Sequence, residues 1–194
     1  MILLDKFKYG NVQEFEKKVR NISDLLRINP DWLMMMMWLE SGLNPKSVNK
    51  QPGDSPAAVE RAANRATGLT QFMPSTARNF GTSTTALYNM TALQQMDYVY
   101  KYFKPYAGKI NSLFDLYLIN FFPVAMGKPD TYVLETKNIS ASVIAKQNPG
   151  MDINKDGKIT VGEFKQMVRN RIPAYVASVF NAEKKNGQLG QDSQ

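Results

Sequence analysis

A run of large apolar side chains, Trp-Leu-Met-Met-Met-Met-Trp-Leu at residues 32–39, constrains the fold more than any other segment. Asn29 and Pro30 come before this run, and they suit the N-cap and the first position of an α-helix. Gly42 follows it, and glycine commonly ends helices. A helix that is apolar on nearly every side has to be covered by other elements. The run therefore predicts a buried helix that ends near Ser41.

Hydrophobic spacing predicts helices along most of the remaining chain. Residues 11–28 repeat apolar side chains at helical intervals and place charged ones elsewhere. Further helices are expected at 56–66, from Pro74, from a Thr91 cap to about Phe103, over 112–122 after an Asn111 cap, near 140–147, and from Val161 to Phe180. Since no segment alternates as a sheet strand does, the predicted fold class is mainly α.

Two absences in the composition limit the available chemistry. The 194-residue chain has no cysteine and no histidine. Disulfides, thiolate nucleophiles, Ser-His-Asp catalysis and histidine-ligated metals are therefore excluded. Acid–base work has to fall to carboxylates, lysine or tyrosine.

The formal charge of +7 predicts a polyanionic environment for the protein. No block of basic residues resembles a nucleic-acid-binding arm, so we expect no nucleic acid partner. The apolar run at the N-terminus is too short for a signal peptide. The longest apolar stretches, 32–39 and 116–126, are too short for a transmembrane segment.

A split pattern places one carboxylate in an apolar setting. Glu-Ser-Gly-Leu-Asn-Pro occupies residues 40–45, and Gly-Leu-Thr-Gln-Phe-Met-Pro-Ser-Thr-Ala occupies residues 68–77. Glu40 ends the apolar helix, and the second segment could fold back over it. Burial against apolar side chains raises the pKa of a carboxyl group, which a general acid for glycosidic bond cleavage requires.

The two segments together resemble the lysozyme-like soluble lytic transglycosylases, with their Glu-Ser-x-x-x-Pro and Gly-Leu-x-Gln-x-Met-Pro-x-Thr-Ala motifs. Asp-Leu-Tyr-Leu at 115–118, Pro123, Gly-Lys-Pro at 127–129 and the acidic loop after 150 look like the phage-encoded branch of that family. The resemblance covers about residues 20–165. It implies cleavage of the β-1,4 bond between N-acetylmuramic acid and N-acetylglucosamine in peptidoglycan, giving 1,6-anhydro products.

The resemblance also implies residue roles. Glu40 is the catalytic residue, first as general acid and then as base. Ser41 orients the adjoining backbone, and Gly68 permits the close turn. Gln71 and Met73 line the cleft beside the scissile sugar. Tyr117 is assigned to substrate binding, with Asn120 as the alternative residue facing the sugar.

Two departures from the family pattern stand out. The interval from Glu40 to Gly68 is longer than in compact members, with 50–66 as the expected insertion. The Ala-Tyr-Asn-x-Gly segment of the cellular enzymes is absent, and residues 117–123 stand in its place. No second acid forms a motif with Glu40, although four carboxylates are candidates: Asp54, Glu60, Asp97 and Asp115. When the substrate supplies its own nucleophile, one protein carboxylate is enough.

Residues 152–163, Asp-Ile-Asn-Lys-Asp-Gly-Lys-Ile-Thr-Val-Gly-Glu, fill every defining position of an EF-hand calcium loop. A single loop argues against a calcium sensor, and we expect a structural Ca²⁺ that fixes the last helix against the catalytic body. No cofactor is expected for the catalytic step. The predicted metal ligands are side-chain oxygens of Asp152, Asn154 and Asp156, the backbone carbonyl of Lys158, Thr160 directly or through water, and both oxygens of Glu163.

These observations predict a lysozyme-like helical domain with a C-terminal EF-hand-like loop and helix. The expected domains are 1–150, with a core at about 20–135, then 151–183 packed on it, and a flexible tail at 184–194. The expected partners are peptidoglycan glycan strands and phage virion proteins, and the expected location is the virion or the bacterial cell wall or periplasm. Alternatives are a muramidase that uses water, a catalytically silent virion structural or wall-binding protein, and a calcium-regulated interaction module.

Overall fold

The structure is a computed structural model that describes residues 1–177 and residue 180. These residues confirm the mainly α fold class, since they contain helices and isolated β-bridges but no sheet. No helix among them is both long and apolar enough to cross a membrane. The α-helices are α1 (Val12–Leu26), α2 (Pro30–Ser41), α3 (Ala58–Arg61), α4 (Pro74–Asn79), α5 (Thr84–Asn89), α6 (Ala92–Phe103), α7 (Leu113–Phe121), α8 (Ala141–Gln147) and α9 (Val161–Arg171).

The chain divides into two compact units, Met1–Pro123 and Val124–Gln194. The first unit contains the split pattern around Glu40, and the second contains the predicted calcium loop. The domain bounds expected from the sequence stay a prediction, and the expected tail at 184–194 lies outside the described residues.

The buried helix α2 confirms the prediction made from its apolar run. The Asn29 side chain caps it by accepting a hydrogen bond from the Asp31 N–H, and Gly42 ends it in the left-handed conformation. Met34, Met35, Met36 and Met37 are all completely buried. Helix α2 packs against both α1 and α7, and α1 also packs against α6. The first unit is therefore built around the helix that carries Glu40.

Three features of the first unit differ from the predictions. Helix α3 is a single turn rather than the expected 56–66, because the end of this segment pairs with the loop after α2 instead, where the Ala66 carbonyl accepts from the Asn49 N–H at 2.9 Å. Helix α7 is capped by Ser112, whose hydroxyl accepts from the Asp115 N–H, and not by Asn111. Helix α5 has no counterpart in the prediction.

The second unit contains α8 and α9 and has buried apolar side chains of its own. Ile144, Ile159 and Phe164 are among its buried side chains. The predicted helix from Val161 to Phe180 is wrong as one continuous element: α9 ends at Arg171, and residues 174–177 are helical again. Pro173 explains the break, because proline disfavours the helical conformation in the residue before it.

Candidate active site

Glu40 lies in the last turn of α2 at the edge of the buried core. It is half-buried, whereas Met37, one turn earlier, is completely buried. Gly42 ends the helix at φ 63°, and its N–H donates to the carbonyls of Met37 and Trp38. A residue without a Cβ atom adopts this conformation at little cost. The helix end therefore leaves the Glu40 carboxylate where the apolar core meets the following turn.

Tyr117 contacts Glu40 from the neighbouring helix α7. Its hydroxyl donates a hydrogen bond to Glu40 Oε1, and its side chain is buried. The two residues are 77 positions apart in the sequence and meet because α2 packs against α7. A phenol that donates to a carboxylate fixes the direction in which the carboxylate points. The structure thus brings two of the predicted site residues together.

Ser41 joins the two halves of the split pattern. Its hydroxyl oxygen lies 2.9 Å from the carbonyl oxygens of both Met37 and Leu69. The hydroxyl has one proton and donates to one of these acceptors at a time. The contact with Leu69 holds the downstream loop against the residue that follows Glu40.

The downstream loop is a tight turn between Thr67 and Phe72, whose N–H groups each donate to the carbonyl of the other at 3.1 and 3.0 Å. Gly68 and Gln71 have positive φ angles of 88° and 51°. Gln71 Nε2 donates to the carbonyls of Gly68 and Ser47 at 3.0 and 3.1 Å. Both amide protons of Gln71 therefore hold the loop in place, and its expected role in lining the cleft stays a prediction.

Met73 follows this turn and immediately precedes α4. Its side chain is 55% exposed. An exposed large apolar side chain beside a predicted sugar site is available to contact substrate, and its expected role stays a prediction.

The four carboxylates considered as a second acid all have partners within the first unit. Asp54 forms a two-pronged contact with Arg65 at 2.7 Å for each bond. This hydrogen bonding lowers the pKa of Asp54 to about 2, so it is ionised near neutral pH and does not suit a general acid. Each of the other three carboxylates accepts a hydrogen bond: Glu60 from the Ser55 hydroxyl, Asp97 from Lys18 Nζ, and Asp115 from the Asn111 N–H.

Gln95 on α6 is not among the predicted site residues, yet it reaches the downstream loop. Its side chain is 2% exposed, and its Oε1 accepts a hydrogen bond from the Leu69 N–H at 2.9 Å. Leu93, two positions earlier, is only half-buried. The sequence signal for Gln95 is its place directly before Met96, an apolar residue that is completely buried in α6.

The predicted calcium loop turns its polar side chains towards its own backbone. The Asp156 N–H donates to Asp152 Oδ1 and Asn154 Oδ1, and the Gly157 N–H donates to Asp152 Oδ2. Gly157 has φ 81° at the sixth position, where an EF-hand loop turns sharply. Ile159 at the eighth position is completely buried. The carbonyl of Ile159 also accepts from the Leu134 N–H at 2.8 Å.

Glu163, at the last position of the loop, is held by backbone amides. Its Oε1 accepts from the N–H groups of Ile153 and Asn154, and its Oε2 accepts from the N–H and hydroxyl of Thr160. Partial burial raises the pKa of Glu163, but these hydrogen bonds outweigh it and lower the pKa overall. Within the described part of the chain, no three acidic, histidine or cysteine side chains lie together as a metal-holding group.

Comparison with known proteins bears on the first unit. Residues 19–110 match the protein-family profile described as "Transglycosylase SLT domain". No curated protein and no solved structure matches the chain. The match spans Glu40, Ser41 and the loop from Gly68 to Met73, and it ends before Tyr117 and the calcium loop. It supports the lytic transglycosylase family for this segment, and with it lytic transglycosylase activity on peptidoglycan.

Proposed function

We propose that this protein is a lytic transglycosylase that cleaves the β-1,4 bond between N-acetylmuramic acid and N-acetylglucosamine, with Glu40 as its acid. The observation that carries the proposal is the setting of Glu40. Its carboxyl group accepts a hydrogen bond from the Tyr117 hydroxyl, and the adjacent Ser41 contacts the downstream loop at Leu69. The family match across Glu40 and that loop gives independent support.

In the proposed reaction the Glu40 carboxyl group donates its proton to the glycosidic oxygen as the bond to the anomeric carbon breaks. The 6-hydroxyl of the muramic sugar then attacks that carbon. The resulting carboxylate accepts the proton of this hydroxyl, which restores the acid and consumes no water. General acid–base catalysis of this kind contributes about 10²–10⁴-fold to the rate.

The reaction needs one protein carboxylate, because the substrate supplies the nucleophile. Ordinary glycosidases use two carboxyl groups at a defined separation. The engagement of Asp54 by Arg65 supports a single-acid mechanism. We assign Tyr117 to positioning the Glu40 carboxyl group, and Gln71 to holding the loop whose neighbour Met73 contacts the sugar.

The products of purified peptidoglycan digestion test this proposal. Mass spectrometry should find fragments one water lighter than the hydrolysis products, ending in 1,6-anhydro-muramic acid. Reducing-end products would instead establish a muramidase that uses water. No released glycan from the folded protein would favour a catalytically silent virion structural or wall-binding protein.

We also propose that the enzyme is phage-encoded and acts from the virion or at lysis. The supporting feature is the resemblance of residues 115–118 and 127–129 to the phage branch of the family. Antibody detection of the protein in purified virions would support delivery with the particle. Its absence from virions, with accumulation late in infection, would support a role in lysis.

We propose that residues 152–163 bind a structural Ca²⁺. The loop contributes the residue types of an EF-hand in order, the sharp turn at Gly157 and the buried Ile159. Asp152, Asn154 and Asp156 would hold the ion with the Lys158 carbonyl and Thr160. Glu163 would complete the site by giving up its hydrogen bonds to the Ile153 and Asn154 amides. The ion would supply charge compensation that stabilises the loop and the start of α9.

Thermal unfolding tests the calcium proposal separately from activity. Adding Ca²⁺ to chelator-treated protein should raise the melting temperature, and Glu163→Gln should abolish this rise. Lys158→Gln is the matched control, since its proposed ligand is a backbone carbonyl, and it should retain the response. A melting temperature of the native protein that is indifferent to both Ca²⁺ and chelator would contradict the proposal.

A further inference from the structure

Gln95 is a buried polar residue whose side-chain amide makes three hydrogen bonds. It lies on the inward face of α6 with Ala92, Met96 and Val99. Its Nε2 donates to the carbonyls of Pro45 and Leu87 at 2.6 and 2.7 Å. Its Oε1 accepts from the Leu69 N–H at 2.9 Å. A buried amide with two donors and one acceptor satisfied is a specific arrangement, because a lost partner would leave a buried group unpaired.

The three partners of Gln95 come from three separate segments of the first unit. Pro45 lies in the turn that follows α2, Leu69 lies in the downstream loop, and Leu87 belongs to α5. Few other side chains have the required combination of groups. Glutamate lacks the two donors, methionine has neither donor nor acceptor of comparable strength, and asparagine is shorter by one methylene.

Leu69 is held at both of its backbone polar groups by side chains from different helices. Gln95 on α6 accepts a hydrogen bond from the Leu69 N–H, and the Ser41 hydroxyl on α2 contacts the Leu69 carbonyl oxygen. Ser41 directly follows Glu40, so the position of the loop and the end of α2 depend on each other. The hydrogen bond from Gln95 to the Pro45 carbonyl also holds the turn that follows α2.

The packing around Gln95 leaves no room for adjustment on the side of the loop. A Cβ atom added to Gly68 would lie 2.5 Å from Gln95 Oε1 and 3.0 Å from Gln95 Cδ. The loop backbone therefore lies directly against the amide plane. A shift of either group would be transmitted to the other.

We propose that Gln95 is a positioning residue that sets the register of the downstream loop against the Glu40 end of α2. Its effect on turnover rests on the proposed function, whereas its effect on the loop does not. The geometry needed for catalysis tolerates small displacements poorly, and a misplacement of about 1 Å can cost about 10²-fold in rate. Gln95 acts through Leu69 and Ser41 and does not itself touch the reacting atoms.

Replacement of Gln95 by methionine in the full chain tests the proposal. Methionine has a similar length and fits buried gaps, but it cannot bond Leu69, Pro45 and Leu87. We expect kcat on purified peptidoglycan to fall about 10–100-fold while KM changes little. We also expect hydrogen exchange to accelerate in a peptide covering 67–72, with α1 as protected as in the native protein.

Gln94→Met is the matched control for the neighbouring position. Gln94 is exposed, and its side chain accepts from the Thr91 N–H in the capping box of α6. Its replacement should cost a small amount of stability without changing kcat or exchange in 67–72. A folded Gln95→Met protein with native kcat, or with exchange accelerated equally in α1 and the loop, would overturn the positioning role.

Two further outcomes keep the positioning role and the proposed function separate. If the native protein releases no glycan, the proposed function fails, and local loop exchange in Gln95→Met alone decides the positioning role. If Gln95→Met does not fold, Gln95→Asn replaces it, because it keeps the uncharged amide with its donors and acceptor but is shorter by one methylene and cannot reach all three partners. A folded Gln95→Asn protein should lose about tenfold in kcat, and native kcat there would also overturn the inference.

Discussion

At the level of single residues, hydroxyl groups and backbone atoms hold the proposed acid and its surroundings. Tyr117 donates to the Glu40 carboxylate, and Ser41 connects the next residue to Leu69. Each contact spans a long interval of sequence, so each depends on the packing of whole helices. Changes to single atoms at these positions should alter activity more than they alter folding.

Tyr117→Phe removes the hydroxyl that contacts Glu40 and keeps the buried ring. We expect kcat to fall about 10–100-fold, because the Glu40 carboxyl group is no longer held in one direction. The melting temperature should fall only modestly, since a typical hydrogen bond contributes about 0.5–1.5 kcal/mol to stability. Tyr9→Phe is the control, because Tyr9 is exposed and contacts Phe7 through its ring. Steady-state assays that find native kcat in Tyr117→Phe would show that the hydroxyl does not position the acid.

Gly68→Ala tests the close approach of the loop to Gln95. Gly53 provides a matched comparison, because its φ of 85° resembles the 88° of Gly68 but a Cβ atom added there would have nothing within 4 Å. Both changes should cost about 1 kcal/mol for an L-residue in a left-handed conformation. Only Gly68→Ala meets Gln95, so it should lower the melting temperature further and reduce kcat. Equal effects of the two changes would contradict the close fit.

At the level of elements, local signals predicted helix ends well where a cap is encoded nearby. Helix α2 begins at Asn29 and Pro30 and ends at Gly42, as the sequence predicts. Helix α6 begins after Thr91 as expected, with a capping box formed by Thr91 and Gln94. These signals act within one turn and can be read from sequence.

Elements shaped by distant contacts could not be predicted in the same way. The insertion after Lys50 forms only one helical turn, because its end pairs with a distant segment through the bond from the Asn49 N–H to the Ala66 carbonyl. The residues of the candidate site show the same contrast between local signals and distant contacts. Glu40 and the downstream loop followed from the motif pattern, whereas Gln95 belongs to the site because tertiary packing buries it beside Leu69.

The insertion also predicts a pH dependence. Hydrogen bonding from Arg65 lowers the pKa of Asp54 from its ordinary value of 3.8 to about 2. A carboxylate with a lowered pKa stabilises the fold at pH values above its ordinary pKa, and this contribution is lost as the pH falls through the folded value. The loss should therefore occur between about pH 4 and pH 2.

Melting curves of Asp54→Asn across this range check that prediction. The native protein should be the more stable at pH 7, and the difference should shrink as the pH falls from about 4 to 2. Asp5→Asn is the control, since the Asp5 side chain is 72% exposed. A stability difference that stays constant down to pH 2 would show that the Asp54–Arg65 pair does not contribute in this way.

At the level of the whole molecule, the net charge of +7 favours approach to an anionic cell envelope. Salt should weaken this attraction, because the Debye length falls from about 30 Å at 0.01 M to about 8 Å at 0.15 M ionic strength. We expect the rate on intact walls carrying anionic polymers to fall across this range. The rate on a short glycan fragment should change much less, and equal salt dependence of the two substrates would contradict electrostatic approach.

The whole proposed reaction depends on Glu40 as the acid that breaks the glycosidic bond. The most direct measurement is the release of glycan fragments from purified peptidoglycan by Glu40→Gln, compared with the native protein and with Glu14→Gln. Glu14 is an exposed residue in the first turn of α1 and provides the same chemical change away from the site. We predict that Glu14→Gln releases 1,6-anhydro products at the native rate and that folded Glu40→Gln releases almost none. Native release by Glu40→Gln would contradict this prediction.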